Sequence, residues 1–160
     1  MRRLLHAVLA SAILAAAFAP AAFGAAATGG GRGTVDGASP FSQFGFGVIG
    51  DSGGARGHFN CLMAGSAQFP GFTMMAVRGQ VRAATIAGAA ATFSGMGTLL
   101  YNFLGTGETQ KADVTFIVNV TEGGAGVGTL QLTVIGVPFV PGGVAAFPPE
   151  HVLSGQITIH

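Results

Sequence analysis

The chain has 160 residues, only 8% of them charged, with 28 glycines, 13 phenylalanines, no tryptophan and one cysteine. That length suits one domain, and a lone Cys61 excludes an intrachain disulfide. A formal net charge of +1 excludes the basic surplus needed to neutralise nucleic-acid phosphates.

Residues 1–24 have the layout of a helical, cleavable signal peptide. Arg2 and Arg3 supply the positive start, and residues 4–18 are apolar apart from His6 and Ser11. Pro20 breaks the helix, and Ala22-Phe23-Gly24 offers small residues at −3 and −1 of a peptidase cut. The apolar core runs about 15 residues, short of the roughly 20 that cross a bilayer. The expected cut follows Gly24, and Ala25-Ala26-Ala27 permits one a little later. A retained anchor is the alternative. A lipoprotein would need a Cys at the cut, and a twin-arginine signal would need more context around Arg2-Arg3. Cleavage removes two of the seven basic residues and leaves five against six acidic ones, so the exported chain is slightly acidic.

Residues 25–33 read as a flexible Gly-rich linker, and 34–160 as a single all-β domain. Period-2 alternation recurs through it, broken by Gly-rich turns. After Thr34-Val35, Phe44, Phe46 and Val48 share one strand face, with Gly45 and Gly47 opposite. Ala55, Phe59, Cys61 and Met63 form the next face, with Arg56, His58 and Asn60 behind it. Past a turn at 68–71, Met75, Val77 and Val81 alternate with Arg78, Gln80 and Arg82. Phe93 and Leu99 alternate with Thr92, Ser94 and Thr98, and a polar loop follows at 105–110. Val114, Phe116, Val118 and Val120 make the clearest apolar face; Leu130, Leu132 and Val134 repeat it. A Pro/Gly-rich loop at 137–149 precedes a last strand marked by Leu153, Ile157 and Ile159. The pattern predicts one antiparallel meander of about eight strands. Closing it into a small barrel, with 32–35 pairing to 155–159, disposes of both edge strands; a two-sheet sandwich is the alternative.

No apolar run in the mature chain reaches spanning length, so no membrane insertion is expected. A lone Tyr101, the lack of Trp and the absence of a C-terminal Phe also count against an outer-membrane barrel.

Four stretches, in order, resemble the post-COAP-1 domain of exported bacterial proteins. They are Gly31-Arg32-Gly33-Thr34-Val35-Asp36-Gly37 followed by Phe44-Gly45-Phe46, then Gly54-Ala55-Arg56-Gly57-His58-Phe59-Asn60, then Ala90-Ala91-Thr92-Phe93-Ser94-Gly95, and the closing Ser154-Gly155-Gln156-Ile157-Thr158-Ile159-His160. The resemblance implies an extracytoplasmic all-β module without an established biochemical activity. This chain departs from that pattern at Cys61-Leu62-Met63-Ala64 and at Thr121-Glu122-Gly123-Gly124-Ala125-Gly126.

The candidate site is an anion or partner patch: Arg56, His58, Arg78, Gln80 and Arg82. Pairing 54–63 with 72–82 is expected to set Arg56 near Gln80 and His58 near Arg78, with Arg82 following on the same face. Such a face suits a carboxylate, a sulfated sugar or an anionic lipid head group. The plainer reading, a solvated outer face whose arginines keep the sheet soluble, fits the pattern better. His58, His151 and His160 lack metal-ligand spacing, and Asp51-Ser52-Gly53-Gly54 reads as a turn rather than part of a triad. Gly29 to Gly33 is not followed by the Lys-Ser/Thr of a phosphate loop, and Asn119-Val120-Thr121 is a glycosylation sequon inside a strand. No catalytic residue, cofactor or metal is assigned. The function expected is an exported, non-enzymatic surface or secreted interaction module; the alternative is a barrel holding a small apolar ligand.

Overall fold

The computed structural model describes residues 24–51, 54–64 and 71–160. The expected signal peptide at 1–24 lies outside them apart from Gly24, as does most of the expected 68–71 turn. Nine strands make up the described chain: β1 (Ala25–Thr34), β2 (Ser42–Asp51), β3 (Gly54–Ala64), β4 (Phe72–Ala87), β5 (Ala90–Phe103), β6 (Thr109–Thr121), β7 (Thr129–Ile135), β8 (Val144–Ala146) and β9 (Glu150–Ile159). All pairings are antiparallel. Strands β1 to β7 pair in chain order, β9 lies between β1 and β7, and the sheet closes into a ring.

The stretch expected to be a linker is a strand. Residues 25–33 belong to β1, which pairs with β2 along one edge and β9 along the other. Gly-rich sequence hides the alternation because there are few side chains to show it. The two neighbouring strands supply the ladder, and their side chains fill the space. A Cβ at Gly29 would stand 2.6 Å from Phe46 Cζ.

Closure does join the first strand to the last, but in another register. Arg32 faces Ser154 and Ala27 faces Ile159, with a slip between Arg32 and Gly33. That slip changes the phase of β9, so Val152 is buried where alternation back from Ile157 selects Leu153. The 137–149 loop also contains β8. Strand β8 and the first residues of β9 follow β7 one after the other, separated by Phe147-Pro148-Pro149. The prolines have no N–H for the ladder, whereas Phe147 N–H donates to the Leu132 carbonyl at 3.0 Å.

Phenylalanine fills the ring's interior. Phe46, Phe59, Phe93 and Phe116 run as one chain of ring contacts with centroids 5.1–5.9 Å apart. Glycines make room for them: a Cβ at Gly79 would lie 2.6 Å from Phe116 Cε1, and one at Gly95 2.8 Å from its Cζ. Burying each ring contributes roughly 2–3 kcal/mol. Toward another part of the interior, Phe139 from the 137–143 loop packs on Phe72 and Tyr101 at 4.5 and 4.8 Å. Between β1 and β2, Asp36 organises the 35–41 loop. It accepts hydrogen bonds from the Ala38 and Ser39 amides and from Thr34 Oγ1, which hold its carboxyl down at about 2.

Candidate functional site

Alternation places Arg56, His58, Arg78, Gln80 and Arg82 on the outer face, all exposed, while Phe59, Cys61, Val77 and Val81 point inward. The register differs from expectation by two residues. His58 pairs with Gln80, and Arg78 pairs with Asn60. Arg56 lies one step beyond the Gly57–Val81 pair, and Arg82 is the extra residue of a bulge in β4 against β5. A two-residue slip keeps every side chain on its face, which is why face and register separate here.

The structure extends this face onto β2 and β1. Outward Gly45 and Gly47 form a floor, and β3 leans over it. The Asn60 Nδ2 lies 3.3 Å from where a Gly45 Cβ would stand, and His58 Cε1 lies 3.4 Å from that of Gly47. Arg32 of β1 joins from the far side, its Nε donating to Ser154 Oγ at 3.1 Å, with Gln43 opposite it on β2. Arg32, Gln43, Asn60 and Arg78 border an open depression of about 430 Å³. A neighbouring one of about 560 Å³ lies among His58, Asn60, Arg78 and Gln80. Arg32 was missed because the run around it read as a linker. The side chains that alternate with it become visible as a face only once β1 is placed beside β2.

Charge is segregated. Four of the five described Lys and Arg residues lie on β1, β3 and β4, whereas Lys111 and Asp113 lie on β6, Glu108 and Glu122 flank β6, Asp36 sits in the 35–41 loop, and Asp51 ends β2.

The sixth acidic residue, Glu150, is inside. It is 1% exposed and accepts a hydrogen bond from the Ser42 hydroxyl at 2.5 Å. Gly33 provides its space, since a Cβ there would collide with the carboxyl group. Burial pushes the Glu150 carboxyl up to about 7, with the Ser42 hydrogen bond acting in the opposite direction. Burial also pushes the Cys61 thiol up to about 12, assisted by the Glu150 charge and opposed by Ser42. Cys61 is a buried small residue, as its strand face implied, but with polar neighbours. Glu150 and His151, adjacent on β9, point to opposite sides, one buried and one exposed.

Elsewhere, Ser52 of the Asp-Ser-Gly-Gly turn lies outside the described residues. Asn119 is exposed on β6 and accepts a hydrogen bond from Thr92 Oγ1 at 2.8 Å. Among the described residues no helix is long and apolar enough to cross a membrane, and no group of three or more His, Cys, Asp or Glu side chains is placed to hold a metal ion. Comparison with family models, with curated proteins and with solved structures finds no match for this chain.

Proposed function

We propose that the protein is an exported, non-enzymatic β module of the post-COAP-1 kind that engages an anionic partner through the outer face of β1 to β4. The observation that carries this reading is charge segregation on a chain that is slightly acidic once residues 1–24 are removed. Arg32, Arg56, Arg78 and Arg82 share one outer face with Asn60, Gln43, His58 and Gln80, and of the six carboxylates only Asp51, the last residue of β2, belongs to these four strands. Guanidinium groups beside amides suit carboxylate or sulfate oxygens. Export is supported by the layout of residues 1–24 and by β1 starting at Ala25, directly after the expected cut.

The alternative, an apolar ligand inside the ring, competes with Phe46, Phe59, Phe93 and Phe116 for the same space. The outer face is the stronger reading. Dextran sulfate, with neutral dextran as control, tests it. The expected result is retention of the protein on the sulfated polymer alone, weakening with salt. Replacing Arg56, Arg78 and Arg82 together by Ala is expected to weaken binding at least about tenfold. Equal retention of that variant, or no retention of the parent at low salt, would refute the proposal.

A further inference from the structure

Glu150 stands where β9 changes partners. Its backbone pairs with Leu130 of β7, while His151 pairs with both Thr129 of β7 and Thr34 of β1. From Val152 onward β9 follows β1. The β7–β9 ladder is two residue pairs long, and the preceding Pro148-Pro149 has no N–H to extend it. Further along, the second edge of β9 is held by the 123–128 turn. There Val152 exchanges hydrogen bonds with Gly126 and Gly128, and Ile157 with Gly123. The short stretch around Glu150 is thus the narrowest join in the ring.

The Glu150 side chain crosses that join. It lies against Gly33 of β1 and is held by Ser42 of β2, with Cys61 of β3 close enough to feel its charge. No cation of these elements points inward toward it. On β1, Arg32 is exposed and bonded to Ser154; on β3, Arg56 and His58 are exposed, and Cys61 is the inward titratable group. Strand β7 has no titratable residue, and His151 and His160 at the two ends of β9 are exposed. On β2 the acidic Asp51 is at the opposite end of the strand, and Asp36 is held by its own loop. A buried carboxyl with one hydroxyl donor and no cation is stable there as the neutral acid, because the anion would lose its hydration without replacement.

We propose that Glu150 is a proton-operated latch on the ring's seam. As the neutral acid it ties β9 to β1, β2 and β7; on ionisation the 147–152 segment leaves the interior and carries the carboxylate to water. Strands β2 to β6 pair without this residue, so the opening is local. With the carboxyl at about 7, the change falls in the neutral range.

Hydrogen–deuterium exchange on protein made from the full chain tests the latch at pH 5.5 and 8.5, after correction for intrinsic exchange. Amides of 129–130 and 150–152 are expected to lose protection at least about tenfold at the higher pH, while β3 to β5 do not change. Glu150→Gln, which stays neutral, is expected to hold its protection at both values. Ser42→Ala removes a donor that favours the anion, and should move the transition to higher pH. Protection at the seam that is flat with pH overturns the latch, as does a loss shared equally by β3 to β5 or a Glu150→Gln protein that responds like the parent. Should Glu150→Gln fail to fold, an unchanged midpoint in Ser42→Ala overturns it instead.

Discussion

Arg32 and Gly33, Gln43 and Ser42, Asn60 and Cys61, His151 and Glu150 are neighbours along β1, β2, β3 and β9. In each pair the first residue faces water and the second is buried. The outer members form a broad polar face with few mutual hydrogen bonds, where each group keeps its hydration. The inner members form a cluster in which one carboxyl needs one hydroxyl and one missing Cβ. The two regions share strands and differ in what a change costs. Polar groups outside are replaceable singly, whereas polar groups inside depend on one another.

The largest effect expected to separate the two regions comes from adding one methyl group. Gly33→Ala drives a Cβ into the Glu150 carboxyl, and should lower stability by about 3 kcal/mol in urea unfolding at pH 5. Arg32→Ala, one residue away on the outer face, should cost about 0.5 kcal/mol or less. Comparable losses for both would erase the distinction.

Next is pH. The folded pKa of Glu150 is raised, so the native state keeps a proton that the unfolded chain releases. Its stabilising contribution is complete below the unfolded value of 4.5 and is lost as pH rises through about 7, a decline of about 3 kcal/mol. Asp36 acts in the other direction: its depressed pKa supports stability above 3.8, and that support is lost as pH falls toward 2. Denaturant midpoints measured across pH should therefore peak near about pH 4–5. Glu150→Gln should flatten the neutral limb and leave the acid limb unchanged. A neutral limb that persists in that variant would place the titrating group elsewhere.

The smallest effect belongs to the outer face. Replacing Arg56, Arg78 and Arg82 together by Ala should change stability by less than about 1 kcal/mol while weakening binding to dextran sulfate at least about tenfold. A larger loss of stability would mean that these side chains do more than cover the sheet.

The inner faces were legible wherever side chains alternate in size and polarity. Phe44, Phe46 and Val48, or Val114, Phe116, Val118 and Val120, announce which way they point, and all are buried. The same alternation placed Arg56, His58, Arg78, Gln80 and Arg82 together outside. Two things were hidden. Residues 25–33 carry little pattern, so a strand looked like a linker and Arg32 dropped out of the candidate face. The pairing offset between β3 and β4 depends on the turn that joins them, so His58 faces Gln80 and not Arg78.

What the sequence determined by itself is thus the period: an all-β chain, its buried stripes, and the outward side of its arginines. These follow from local geometry, since successive side chains of a strand point to opposite sides. Register, ring closure and the Glu150 latch were decided only by tertiary structure. Each depends on residues far apart in the chain, as when Gly33, Ser42 and Cys61 meet a carboxyl more than 80 residues downstream. No local pattern encodes such a meeting, and the slip between Arg32 and Gly33 that shapes it exists only once β1 and β9 are side by side.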